Sequence, residues 1–423
     1  MAVENPRRRV AVTGLGVASA IGFDEETFWQ NLLAGRTGIG PLQFFDRFRH
    51  DRVGYHVTIG AEADSDELKT RLRAMGRRPV DRALDLAMVA GQSALGGAGL
   101  LEANAEGGYA PRPASVIIGS GVGSAQSHFE GFKSFHKKGA KGLRPTTVPK
   151  CMYNAISSGL SLHFKLTGAN YVVVSACTSG ANAIGAAYRS IRDGYADMVV
   201  TGGADGFFDP FFYGVWNNLG VLASGDDPVT ACRPFDRDRT GCILGEGAGV
   251  LVLESFEHAE RRGARQRGEV AGYGESSDAF HRTTPSAEGQ AAAMRQALDD
   301  AGVDPAELGY INAHGTATEA NDECESRSIR LALGDAADDV WVGANKSFFG
   351  HTLGASGALE TIVTLLALEH RQMPPNLNLD NPDPEVNLRL LGGEPQVLDS
   401  AWAMKNSFGF GGGNGVLVLK RAD

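Results

Sequence analysis

The chain has 423 residues, a formal charge of −10, and 43% apolar against 21% charged residues. That is the composition of an ordinary globular protein with enough chain for two domains, or for two halves sharing a core. It excludes a membrane span, since no run reaches about 18 apolar residues, and it argues against nucleic acid as the main partner.

In chain order, residues 1–10 lack the apolar segment of a signal peptide. They lead into a strand at 9–12. Thr13-Gly14-Leu15-Gly16 begins like a dinucleotide fingerprint, but Ser19 stands where the third glycine belongs, so that signal is discounted. Lys69, Arg71, Arg73, Arg77, Arg78 and Arg82 form a basic cluster, either a docking patch for an acidic partner or a solvated helical face. A helix over 79–94 precedes strands at 115–118 and 171–174, a helix at 178–192, and strands at 198–201 and 249–253. Past a charged join at 257–269, the pattern predicts a strand at 269–273 and a helix at 287–301. Next come a strand at 310–312, a helix at 322–333, a strand at 340–342, a helix at 357–370, a proline-rich loop and a strand at 415–419. Such alternation predicts an α/β fold. Residues 247–254 match 413–420 in six of eight positions, which suggests two similar halves, 1–262 and 263–423.

Five cysteines without a C-x-x-C pair argue against a disulfide framework or a zinc site and fit a reducing, cytoplasmic setting. Cys177 differs from its fellows in position. It ends a β-branched run and opens a helix of small residues, where the helix dipole should lower its thiol pKa. Its ordinary reading is a small buried hydrophobe. Three glycine-flanked segments could join it: Asn312-Ala313-His314-Gly315-Thr316-Ala317-Thr318, Asn345-Lys346-Ser347 with Gly350-His351, and Asn406-Ser407-Phe408-Gly409-Phe410-Gly411-Gly412. Taken singly, each histidine reads as a turn residue. The glycine loop lacks a P-loop ending. A metal site from His314, His351 and Asp322 has no diagnostic spacing. Together, a cysteine nucleophile and two histidines form a set suited to thioester chemistry.

These segments, with Ala176-Cys177-Thr178-Ser179-Gly180, closely resemble the β-ketoacyl-acyl-carrier-protein synthases. The resemblance covers nearly the whole chain. It implies a thiolase-like fold of two similar halves in α-β-α-β-α layers, no metal or organic cofactor, and no membrane or nucleic-acid partner. It implies a decarboxylative Claisen condensation on acyl- and malonyl-loaded acyl carrier protein, in type II fatty-acid or polyketide elongation. Cys177 would hold the acyl chain, and the backbone N–H groups of Cys177 and Phe410 would stabilise the oxyanion. His314 and His351 would hold the enolate, and Lys346, paired with Glu325, would tune them, with Asp322 in support. Phe410, between Gly409 and Gly411, would gate the tunnel.

Val122, Thr147, Phe212, Trp216 and Phe349 match pocket positions, Thr147 from across a dimer. Lys69, Arg73, Arg77 and Arg78 would dock the carrier. The chain departs from the pattern at Gly413, where the family has threonine, at Phe349, at the aromatic stretch 206–216, and at Gly220, where some relatives use arginine. The aromatic stretch suggests either interface core or a pocket for unsaturated chains. The assembly would be a homodimer, or a heterodimer with a chain-length factor. The alternative reading makes this chain the non-catalytic partner, against which all three catalytic residues stand.

Overall fold

The computed structural model describes residues 7–48, 54–102, 108–223 and 227–422. Its first half runs β1 (Val10–Ser19), α1 (Arg82–Gly97), β2 (Ser115–Gly119), α2 (Ala155–Phe164), β3 (Asn170–Val173), α3 (Ser179–Arg192), β4 (Met198–Asp205) and β5 (Gly247–Ser255). The second half repeats the series as β6 (Gly268–Ser277), α4 (Ala287–Ala301), β7 (Leu308–Asn312), α5 (Glu319–Leu333), β8 (Trp341–Gly343), α6 (Ser356–His370), β9 (Trp402–Gly409) and β10 (Gly413–Arg421).

The strands form one sheet ordered β8-β7-β9-β10-β6-β1-β5-β4-β2-β3, with a short strand at Arg389–Leu390 beyond β8. Read outward from the β1–β6 junction, both halves have the same order. That junction is brief and antiparallel: Val10 pairs with Val270, Ala11 with Glu269 and Val12 with Gly268. The repeat seen in the sequence fills equivalent slots, since β5 lies beside β1 and β10 beside β6.

Helices α1 and α2 cover the strands of the first half, and α4 and α5 those of the second. Helices α3 and α6 pack on each other and on strands of both halves, which gives five alternating layers. Helix α6 is buried on all sides from Ser356 to Leu368, which explains an apolar run without an amphipathic stripe. One apolar cluster reaches from Val10 to Leu419, so the halves share a core.

The glycine pair in β1 is a packing device. A Cβ at Gly14 would lie 2.1 Å from Ala94 O, and one at Gly16 2.0 Å from Ala90 O, both on α1. The device recurs in β6, where Gly272 and Gly274 face Ala297 O and Ala293 O of α4 at 2.3 and 2.0 Å.

Several helices escaped the sequence reading, among them Glu25–Leu33, Ala125–Lys138, Ala155–Phe164 and Pro210–Asn218. The helix Pro210–Asn218 lies in the aromatic stretch. Asp209 caps it by accepting from the N–H groups of Phe211 and Phe212, both at 2.9 Å, and Pro210 supplies a preset φ.

Candidate active site

Two helix N-termini meet at the centre of the molecule. The turn at Ala176–Thr178 leads into α3, and the turn at Leu353–Ala355 leads into α6. Each places a non-glycine residue at positive φ, Ala176 at 54° and Leu353 at 49°. Such strain costs roughly 1–3 kcal/mol and persists only where neighbours enforce it. Here Thr178 Oγ1 donates to Ser175 O at 2.7 Å, Ser179 Oγ to Ala176 O at 2.6 Å, and Asn182 Nδ2 to Ser175 Oγ at 2.9 Å. Buried Asp205 ties the second turn to the loop after β2. It accepts from Ser120 Oγ (2.6 Å) and from the N–H groups of Gly121 (2.8 Å), Val122 (3.1 Å) and Gly354 (2.7 Å). Burial raises its carboxyl to about 6 against the pull of those donors.

Cys177 Sγ lies 3.1 Å from His351 Nε2. The His351 and His314 rings stand edge to face with centroids 5.3 Å apart. The backbone N–H groups of Phe410 and of Cys177 itself lie near the sulfur and favour its thiolate. The expected lowering of the thiol pKa gives way to burial, which pushes Cys177 up to about 11 against those two donors and the charge of Lys346. Burial also holds both histidines well below 6.5, helped by the charges of Lys346 and Lys405. Both rings are therefore neutral near pH 7 and can each present one N–H.

Which nitrogen carries the proton follows from the neighbours. Lys346 Nζ is 3.5 Å from His314 Nδ1. An ammonium has no lone pair, so Nδ1 accepts and the proton is assigned to Nε2. At His351, Nδ1 is 3.0 Å from Ser356 Oγ, which already accepts from Thr352 N–H at 3.0 Å. The Ser356 hydroxyl proton is then assigned toward Nδ1, leaving Nε2–H toward the sulfur.

The lysine's carboxylate partner differs from expectation. Lys346, buried, is paired with Glu360 Oε1 at 2.6 Å and also donates to His314 O. Glu325 instead accepts from the N–H groups of His314 and Gly315, both at 2.8 Å, and from Asn406 Nδ2 at 3.1 Å. It therefore clamps the histidine's backbone. Asp322 turns to Phe235 N–H at 2.8 Å, and burial raises it to about 6.

The reactive groups open into a cavity of about 320 Å³, lined by Cys177, His314 and His351 together with Trp216, Phe408, Gly409 and Phe410. Phe410 stacks on Trp216 with centroids 5.9 Å apart and planes 13° from parallel. Gly411 at φ 89° and Gly412 at φ 78° give the loop a turn that other residues resist. Gly411 N–H donates to Arg282 O at 2.7 Å, and Asn414 Nδ2 to Asp278 Oδ1 at 2.7 Å, so the loop is tied at both ends. A Cβ at Gly413 would fit in ordinary contact with Thr178 Oγ1, 3.5 Å away.

Val122, Phe212 and Trp216 pack in the same apolar cluster as Cys177. Phe349 does not line the cavity. It is buried in the central core and stacks on Phe28 at 5.9 Å, because its short helix turns the ring toward the helix Glu25–Leu33. Thr147 is half-buried on the short helix Thr147–Cys151 and lies beside Gly131, away from the cavity of its own chain. In the basic cluster, Lys69, Arg73 and Arg78 are exposed and Arg77 is half-buried. Arg82 is no surface residue: it is buried against Glu246 at 2.6 Å.

Comparison with known proteins decides the family. The profile of the beta-ketoacyl synthase N-terminal domain matches residues 7–259, and that of the C-terminal domain matches 267–380. The chain belongs to the β-ketoacyl synthase family. Among β-ketoacyl synthases, it is 40% identical to the 3-oxoacyl-acyl-carrier-protein synthase 2 of Vibrio cholerae, over 98% of this chain and 99% of that one. It is 38% identical to the enzyme of the same name from Synechocystis, over 98% of each. The solved ishigamide ketosynthase/chain length factor superposes with a TM-score of 0.89 at 34% identity, covering 99% of this chain and 100% of that one. A β-ketoacyl synthase from Burkholderia phymatum gives 0.86 at 33% identity, covering 98% and 100%.

Proposed function

We propose that this chain is a condensing acyltransferase that extends an acyl chain by decarboxylative Claisen condensation with malonyl-loaded acyl carrier protein. The observation that carries the reading is the convergence on one sulfur of His351 Nε2, 3.1 Å away, and of two backbone N–H groups, with His314 beside them.

In loading, Cys177 Sγ attacks the thioester carbonyl of an acyl carrier protein. The bond from that carbon to the carrier's sulfur breaks, a bond to Sγ forms, and the thiol proton leaves with the carrier's thiol. The passing oxyanion is met by the N–H groups of Cys177 and Phe410, preorganised donors of the kind that contribute most to acyl transfer. In elongation, malonyl-loaded carrier loses carbon dioxide. The electron pair of the broken bond remains as an enolate, whose oxygen accepts from Nε2–H of His314 and His351. The carbanion carbon attacks the acyl carbonyl, the new carbon–carbon bond forms, and the bond to Cys177 Sγ breaks and the sulfur is reprotonated.

Trp216, Phe212 and Val122 would line the acyl path, and the Trp216–Phe410 stack suits a flat or unsaturated chain. Lys69, Arg73 and Arg78, with Arg77 behind them, offer positive charge to an acidic carrier. A second chain would cover the free edge of β3. That edge exposes Tyr171 and Val174, and the helices nearby expose Phe132, Val148 and Leu162, an apolar surface that monomers rarely leave open. The partner would be a second copy or a chain-length factor. A cytoplasmic setting fits the free cysteines; among the described residues no helix is long and apolar enough to cross a membrane.

Intact-mass analysis with saturated and polyenoyl carrier proteins tests the reading. The expected result is a mass gain confined to Cys177, blocked by prior iodoacetamide, followed by a product two carbons longer once malonyl carrier is added. Failure to acylate with every chain offered would favour a non-catalytic, chain-length-factor role.

A further inference from the structure

Glu360 is shared by two lysines. Its Oε1 lies 2.6 Å from Lys346 Nζ, and its Oε2 lies 2.9 Å from Lys405 Nζ. All three side chains are shut off from solvent, Lys405 completely. The Lys405 ammonium also donates to Asn406 O and to Ser407 Oγ, the latter at 3.2 Å. It touches neither the sulfur nor either imidazole, and the condensation as derived above does not use it. Yet it sits in β9, five residues before Phe410, on the strand that carries the gate loop.

One buried carboxylate, Glu360, is in contact with both ammonium groups, while Glu325 acts on Lys405 only through space. Burying a second ammonium here is costly, and stability alone would be served better by an apolar side chain. Lys346 brings this cluster to within 3.5 Å of His314 Nδ1, the ring nitrogen opposite the one that faces the cavity. We propose that Lys405 is a positioning residue for the decarboxylation half-reaction: together with Lys346 and Glu360, it sets a positive field behind His314 and His351 that favours the enolate and keeps both rings as neutral donors. This rests on the condensing reading above.

The other ionisable groups around the rings are already engaged. Glu325 is bound to the His314 and Gly315 backbone, Asp322 to Phe235 N–H, and Asp205 to the loop after β2. The charges of Lys346 and Lys405 both oppose protonation of His314 and of His351. Lys405 makes its contacts with Glu360, Asn406 and Ser407 and none with Cys177, whose sulfur meets His351 Nε2 instead. Acyl loading and decarboxylation should therefore respond differently to loss of this lysine.

The test is Lys405→Met in the full chain, assayed separately for acylation of Cys177 by intact mass and for carbon dioxide release from malonyl carrier protein. Decarboxylation should fall about 10- to 100-fold, the effect of one unit charge several ångströms away at an effective dielectric of about 20. Loading should stay within about threefold of wild type, and the acid limb of the decarboxylation profile should move to higher pH, because removing a positive charge lets the histidines protonate earlier. Equal loss in both half-reactions, or an unmoved acid limb, overturns the proposal. If Lys405→Met does not fold, Lys405→Ala supplied with ethylammonium takes its place: recovery of decarboxylation without change in loading supports the role. Lack of recovery, or failure of this variant to fold too, overturns it in favour of a purely structural ion pair. If wild-type protein neither acylates nor decarboxylates, the condensing reading itself fails, an outcome distinct from a competent wild type that is indifferent to Lys405.

Discussion

The turn before α3 and the turn before α6 are one backbone device used twice. Ala176 and Leu353 take the same left-handed conformation, and a central helix follows each. The next residue differs: Cys177 in the first half, Gly354 in the second. A Cβ on Gly354 would lie 2.3 Å from Gly121 N and 2.7 Å from Asp205 Oδ2, so this turn can carry no side chain. It serves as the seat against which the first turn is pressed, with Gly180 and Gly354 O in close approach. A duplicated fold thus yields two equivalent helix N-termini, and the side chains divide the labour. In the proposed reaction the first half provides the nucleophile, while the second provides the rings, the lysines and the gate.

The sharpest way to break that division is Cys177→Ser. Condensation should fall by more than about 10³-fold, because the nucleophile is lost. Carbon dioxide release from malonyl carrier should persist, since its donors belong to the other half. Loss of both activities would show that the halves do not work separately. Gly354→Ala comes next, and it tests the seat. Overpacking against backbone at that distance should destabilise by about 3 kcal/mol, read as a lower denaturant midpoint. An unchanged midpoint would mean that the two turns are not pressed together.

The smallest effect is on pH dependence. His314 and His351 are held below their ordinary value, so the unfolded chain binds protons that the folded pocket refuses. The stability that the two rings contribute should therefore fall as pH drops below about 6.5, while the raised carboxyls of Asp205 and Asp322 pull the other way. The histidine share is read as the difference in urea midpoint between wild type and a variant with both rings replaced by glutamine, a difference that should shrink from pH 7.5 to pH 5.5.

That Cys177, His314 and His351 meet was legible because their immediate neighbours advertise them: a strand-to-helix junction in one case, glycine turns in the others. The halves were legible from one short repeat. The lysine's carboxylate partner was not. Glu325 and Glu360 both lie on helices that follow a histidine loop, and spacing along the chain does not say which helix face meets Lys346. Lys405 was hidden for a similar reason, since a lysine in a strand ordinarily points to water. The thiol pKa was misjudged because the dipole is local and readable, whereas burial depends on Trp216, Phe410 and the second half closing over the sulfur. Phe349 matched a pocket position by sequence, but its direction depends on Phe28, more than three hundred residues away.

The loop at Phe410 is the tip of a hairpin. Its two stems, β9 and β10, are paired from Trp402–Lys420 to Gly409–Gly413, and the β9 stem is anchored through Lys405 and Asn406 to the ion network. Movement over the cavity is therefore confined to the few residues between the stems, a tether of about 3.5 Å per residue when fully drawn out. As the gate of the proposed reaction, the loop would be a short latch on a fixed post, its travel set by the length of the latch rather than by any shift of the domain behind it.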